Sequence, residues 1–218
     1  NSPELHKYVP NIDIPLGIMT DSSAFEGGIG GGHNLLDHGY DEWSDMFNTR
    51  QLLCLSKLLY EIDRIENDDA REYLFLTFSE ILNYNTMLTS YHPGRNLTNP
   101  VFKTNAFDSP QRPVENNVWG TKYGSGTFAA MWDMTFSGVQ YAKAPTERHI
   151  RDGETVETAE FDKPIGGDFD LHCGDARSLE LDEEFDAVIT DPPYYDNIIY
   201  SEISDFFYVW QRILLKDE

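Results

Sequence analysis

The sequence predicts an α/β fold: a helical, loop-rich N-terminal part followed by the C-terminal part of a strand-and-helix core. Three observations carry that prediction. Two short strand-like runs, Phe169–Cys173 and Ala187–Thr190, end on strand-breaking residues, Gly174-Asp175 and Asp191-Pro192-Pro193. An amphipathic stretch from Ser201 to Leu215 follows the second run, so the order is strand, loop, strand, helix. Upstream, apolar residues recur at helical rather than alternating spacing.

Residues 1–40 read as irregular. Pro3, Pro10 and Pro15 interrupt any helix, and Gly27, Gly28, Gly30, Gly31 and Gly32 free the backbone. The glycine run lacks the Gly-Lys-Ser/Thr ending of a phosphate loop. His33 and His38 have no third metal ligand nearby, so no metal site is expected. A helical part spans 41–145. Its first helix is expected over 49–66, capped by Asn48 or Thr49, with Leu52, Leu55, Leu59 and Ile62 on one face. A second starts at Asp68-Asp69, acids that favour a helix N-terminus, and runs to about Met87. Asn83-Tyr84-Asn85 at its end is more polar than a core needs, so it is a candidate to face substrate. A third helix is expected over 127–142, stopped by Pro145. Residues 146–168 carry the turn signals Asp152-Gly153 and Gly166-Gly167 and fit a hairpin or a linker. Residues 169–218 complete the chain as the α/β segment. In its final helix, Ile203, Phe206, Phe207, Trp210, Ile213 and Leu214 form a packing face.

Whole-chain properties set limits. No stretch of 18 apolar residues exists, so no membrane span and no membrane partner are expected. Cys54 and Cys173 are too few for a disulfide framework or a thiolate zinc site, which points to a reducing cytoplasm. The start, Asn1-Ser2-Pro3-Glu4, has no initiator Met and no signal pattern, and reads as an internal cut from a longer protein. The net charge is −22, from 38 acids against 16 bases. Phosphate neutralisation normally demands a basic face, so this balance argues against nucleic acid. The acids are spread along the chain, however, and arginine outnumbers lysine. Such an even coat suits a protein of molar salt, where screening removes surface repulsion. An acidic protein-binding module is the alternative. The polar loop 91–126 departs from this trend. Between Arg95 and Gly126 the bases Arg95, Lys103, Arg112 and Lys122 face only the acids Asp108 and Glu115. Interleaved with Phe102, Phe107, Trp119 and Tyr123, they suit contact with a nucleic-acid strand; an ordinary surface loop is the plainer reading.

The tetrapeptide Asp191-Pro192-Pro193-Tyr194 is the most informative motif. At average composition it arises by chance in roughly one chain per thousand of this length, so it merits a chemical reading. Proline fixes φ and has no N–H, so the chain leaves the strand in a stiff, defined shape. A carboxylate, a carbonyl without a ladder partner and a flat ring then share a strand's C-terminal edge, where open α/β sheets bind ligands. That set suits a planar group with an exocyclic amine, such as adenine or cytosine.

The order strand, Gly174-Asp175-Ala176, short acidic segment, strand, Asp191-Pro192-Pro193-Tyr194 resembles the amino-methylating, S-adenosylmethionine-dependent DNA methyltransferases. The longer string from Thr190 to Leu214 looks like a large branch of that family carrying Asp-Pro-Pro-Tyr-Tyr-Asp-Asn and an aromatic helix. Trp43–Leu53, Asn83-Tyr84-Asn85, Tyr91–Arg95 and Val114–Gly120 look like that branch too, so the likeness runs from about residue 40 to the end.

The resemblance implies a Rossmann-like methyltransferase core, of which residues 169–218 are part, and S-adenosylmethionine as cofactor. It implies DNA and the remainder of a parent methyltransferase chain as partners. Carried over, the Asp191 carboxylate and the Pro192 carbonyl accept the hydrogens of the target amine. Pro193 fixes the loop and Tyr194 stacks on a base flipped from the duplex. Gly174, Asp175 and Ala176 lie near the cofactor, with Asp175 toward its adenine; a plain turn acid is the competing reading. Tyr195 and Asn197 are candidates to line the base pocket; the competing reading has Asp196 capping the following helix. From their charge and setting, Arg95, Lys103, Arg112 and Lys122 are the candidates to contact DNA.

One departure matters. The family's glycine-rich cofactor motif is not found in these residues, the acid that holds the cofactor's ribose is not identifiable among them, and both are expected outside this fragment. The isolated chain is therefore expected to have weak or no activity. The alternatives are an amino methyltransferase of cytosine, RNA or a protein glutamine, and an inactive methyltransferase-like module that binds nucleic acid or a partner. Asp191 stands where glutamine methyltransferases normally carry Asn, which argues against that substrate.

Overall fold

The computed structural model describes residues 3–15, 35–107, 110, 112–120, 124–158, 163–167, 169–178, 186–194, 198 and 200–215. Among the described residues the fold is mixed: helices with two small antiparallel sheets. Two compact units divide the chain. Residues Asn1–Thr135 with Asp196–Glu218 form a helical unit, and Phe136–Tyr195 form a hairpin unit.

The helical unit begins with a short 3-10 turn, Pro3–Tyr8. Residues 12–14 then pair with 41–43, through Ile14 N–H to the Asp41 carbonyl at 2.8 Å and Trp43 N–H to the Ile12 carbonyl at 3.0 Å. Helix α1 spans Thr49–Asp63. Asn48 caps it: its Oδ1 accepts from the Arg50 and Gln51 N–H groups at 2.9 Å, and Gln51 Oε1 accepts from Asn48 N–H at 2.9 Å. Helix α2 spans Asp68–Leu82, capped by Asn67 Oδ1 on the Ala70 N–H at 2.8 Å. It ends earlier than the sequence predicts, because Asn83-Tyr84-Asn85 turns the chain away. Strands β1 (Ser90–His92) and β2 (Leu97–Asn99) make a short hairpin inside the polar loop. Helix α3, Phe128–Lys143, and helix α4, Tyr200–Leu215, lie close to their expected bounds.

An aromatic cluster holds the helical unit together. Phe206 and Trp210 of α4 are 1% and 0% exposed. Trp210 meets Phe47 and Phe78 edge-on at centroid distances of 5.2 and 5.7 Å, and Phe206 stacks on Phe47 at 6.0 Å. Phe102 and Phe107 close the other side of Phe206 at 5.2 and 5.9 Å. Burying each large side chain contributes about 1.5–3 kcal/mol, and the edge-on geometry suits ring quadrupoles. Gln211 of α4 donates to Ser79 Oγ of α2 at 3.0 Å, and the Tyr8 hydroxyl donates to the Asp63 carboxylate at 2.6 Å.

In the hairpin unit, β3 (Glu147–Arg151) pairs antiparallel with β4 (Glu154–Thr158), Arg151 opposite Glu154. Asp152 and Gly153 join them with φ of 55° and 83°, the two left-handed residues of a type I′ turn. The Asp-Gly signal thus resolves the choice between hairpin and linker over 147–158 in favour of the hairpin. The two strand-like runs behave otherwise. The described residues of Phe169–Cys173 and Ala187–Thr190 are not strands. Leu171, Val188 and Ile189 are 87%, 83% and 95% exposed. A parallel strand is stable only with ladder partners and cover on both faces, and neither run has a ladder partner among the described residues. Among these residues, no helix is long and apolar enough to cross a membrane.

Candidate functional site

Asp191, Pro192, Pro193 and Tyr194 are an irregular, exposed segment of the hairpin unit. The prolines withhold two N–H donors and stiffen the backbone, so the segment needs no ladder to keep a local shape. Tyr194 is 55% exposed, which leaves aromatic surface for stacking. Tyr195 and Asn197 lie outside the described residues, as do Lys122, Tyr123, the glycine run 27–32 and His33.

Gly174-Asp175-Ala176 is ordered by its own polar groups. The Asp175 side chain accepts the Arg177 N–H at 2.9 Å, and the Asp175 carbonyl accepts the Ser178 N–H and hydroxyl, each at 2.9 Å. These bonds close the 3-10 turn Ala176–Ser178. The Arg177 guanidinium grips the carboxylate, with Nη2 to Oδ2 at 2.6 Å and Nε to Oδ1 at 3.0 Å. Hydrogen bonds from the Arg177 side chain and backbone hold the Asp175 carboxyl below the usual carboxylate range. The turn-acid reading of Asp175 is therefore satisfied within three residues. A Cβ at Gly174 would meet nothing within 4 Å among the described residues. All three residues are exposed, and the Asp175 carboxylate is paired with Arg177 at the surface.

The basic loop belongs to the helical unit. Arg95 sits in the β1–β2 turn and is exposed. Lys103 Nζ donates to Ser90 Oγ at 3.1 Å, and the Arg112 carbonyl accepts the Tyr91 N–H at 3.0 Å. Strand β1 thus gathers Lys103 and Arg112 around Ser90-Tyr91, with Arg95 at the hairpin tip. The loop's aromatics separate. Phe107 is 4% exposed and Phe102 packs on it at 4.9 Å, so both serve the core. Trp119 is 63% exposed and stacks on Phe128 at 5.7 Å. The expectation that Phe102 and Phe107 join the loop's bases in strand contact is corrected: hydrophobic burial took those two rings inward.

Asn83-Tyr84-Asn85 is likewise structural. Asn85 is fully buried, and its Nδ2 donates to the carbonyls of Ile81 and Gly126 at 2.7 Å. The Asn83 carbonyl accepts the Val101 N–H at 2.8 Å. The triplet ties two points of the polar loop, Val101 and Gly126, to the C-terminus of α2.

Sequence reasoning missed a pocket of about 500 Å³ beside the α1 N-terminus, lined by Arg50, Gln51, Cys54, Glu115, Asn116 and Asn117. Residues 65 apart meet there, so no local pattern announces it. No family model matches the chain, and neither a curated protein nor a solved structure does.

Proposed function

We propose that the chain is a segment of an S-adenosylmethionine-dependent DNA methyltransferase acting on the exocyclic amine of adenine. The observation that carries the reading is Asp191-Pro192-Pro193-Tyr194, placed exposed behind an apolar run. In this reading residues 169–218 belong to a Rossmann-like core. The Asp191 carboxylate and the Pro192 carbonyl accept the two amine hydrogens. Their acceptance directs the nitrogen lone pair away from the ring and offsets positive charge developing on nitrogen. Pro193 holds the carbonyl in place, and Tyr194 stacks on the extruded base. S-adenosylmethionine supplies the methyl group. Arg95, Lys103 and Arg112 supply phosphate contacts on an otherwise acidic chain.

A second reading is a methyltransferase-like module that binds nucleic acid or a partner without turnover. The pairing of Asp175 with Arg177, which occupies an expected cofactor contact, favours it. One experiment separates the two. Methyl transfer from labelled S-adenosylmethionine to unmethylated DNA is measured in molar salt, for this chain and for the full reading frame that encodes it. Turnover that falls about 10²–10³-fold in Asp191→Ala, with DNA binding retained, supports the enzyme. Undiminished turnover in Asp191→Ala overturns the assigned role. DNA binding without any turnover in the full reading frame supports the module.

A further inference from the structure

We propose that the groove between α2 and α4 binds a small organic ammonium cation. The site stands apart from the function proposed above, because it lies wholly within the helical unit. Its shape follows from helix spacing. Leu76, Ser79 and Glu80 share one face of α2, and Ser204, Phe207 and Gln211 share one face of α4. The two faces border a groove of about 380 Å³, room for a small ligand. Gln211 Nε2 donates to Ser79 Oγ at 3.0 Å and ties the two walls together.

The first argument is an unpaired anion. Among the described residues Glu80 is the only charged group that lines the groove, and its carboxylate has no hydrogen bond or ion pair. Burial raises the Glu80 carboxyl above its ordinary value. Burial first, then the Glu80 charge, also raise the Tyr84 phenol one helical turn on. Glu80 keeps enough exposure for a ligand to reach it. A carboxylate that has lost part of its hydration and found no partner gains more from a cation than a fully hydrated one does.

The second argument is the kind of cation. A hard metal ion wants several oxygen ligands, and no group of three or more His, Cys, Asp or Glu that could hold one stands among the described residues. The walls instead suit an ion with an apolar body. Phe207 brings aromatic surface to the groove, and its ring is held by Phe206 edge-on at 5.1 Å and by Phe102 at 5.6 Å. Cations with weak hydration sit well against such rings. Leu76, 55% exposed, offers cover for an alkyl chain. The Ser204 hydroxyl has no hydrogen-bond partner among the described residues and can accept a second N–H. An anion is opposed by Glu80 and by the net charge of −22.

The test is an amide NMR titration of the whole chain with butylammonium chloride, which replaces potassium chloride mole for mole so that ionic strength stays constant. Saturable shifts at Ser79, Glu80, Ser204 and Phe207, in the millimolar range, are expected. Glu80→Gln keeps the side chain's shape and removes its charge, and should weaken binding by about fivefold. Leu76→Lys, at an exposed position, places an ammonium of its own one turn from Glu80 and should block binding as well, which keeps the test valid if Glu80→Gln does not fold. Tetramethylammonium that binds as tightly as butylammonium assigns the main contact to the Phe207 ring; weaker binding assigns it to hydrogen bonds with Glu80. Equal shifts from 1-butanol would mean an apolar groove without a cation site and overturn the proposal. So would equal shifts from lithium chloride exchanged in the same way, unchanged affinity in Glu80→Gln or Leu76→Lys, or no saturable shift at all.

Discussion

The two units treat similar apolar sequence in opposite ways. In the helical unit, Trp210, Phe206 and Phe78 are 0–1% exposed; Trp210 meets Phe78 at 5.7 Å, and Phe47 bridges Trp210 and Phe206 at 5.2 and 6.0 Å. In the hairpin unit, Leu171, Val188 and Ile189 keep 83–95% of their surface in water. Helices satisfy their own backbone, so an apolar stripe needs only another stripe to cover it. A strand must find ladder partners before its side chains can be buried. The helical unit assembles from what its own elements carry. The strand-like runs of the hairpin unit gain nothing from being apolar until a sheet exists. The motif with the clearest chemical meaning therefore sits in the less consolidated unit.

The largest effect that would break this comparison lies in the aromatic cluster. Trp210→Ala should cost about 3–5 kcal/mol, whereas Ile189→Ser should stay within about 0.5 kcal/mol. Urea unfolding followed by circular dichroism checks both. A large loss for Ile189→Ser would mean that the run is buried in solution and that the contrast is false.

Two glycines sharpen it next. Gly126 has φ of 72°, and a Cβ there would stand 2.0 Å from Tyr84 Cβ. Gly126→Ala should cost about 2–4 kcal/mol, from the left-handed backbone and the overlap together. Gly153 has φ of 83° with open space around it, so Gly153→Ala should cost only about 1 kcal/mol. Thermal unfolding of the pair reads the difference; equal costs would show that packing around the Gly126 turn is loose.

The smallest effect is a pH dependence confined to the helical unit. Burial, then the hydrogen bond to Asp63, push the Tyr8 phenol above its ordinary value. The folded state thus favours the protonated phenol. Its contribution is complete below the unfolded tyrosine value of about 10 and fades as pH rises above it. Tyr8→Phe should flatten the alkaline limb of the stability profile. An unchanged limb would remove Tyr8 from the account.

What the sequence determined by itself is local. Apolar spacing marked α1, α2 and α4, Pro145 marked the end of α3, Asn48 or Thr49 marked the start of α1, and Asp152-Gly153 marked the β3–β4 turn, because each signal acts within a few residues. Asp191-Pro192-Pro193-Tyr194 was legible for the same reason: its stiffness and its chemistry are written in four consecutive residues. Tertiary structure alone decided which apolar residues are core. Phe102 and Phe107 read as loop aromatics until Phe206, about a hundred residues later, gave them something to pack on. Gln51 read as a helix residue until the fold brought Glu115, Asn116 and Asn117 to line one pocket with it. Burial depends on partners distant in the chain, and neither periodicity nor composition says which distant partner arrives.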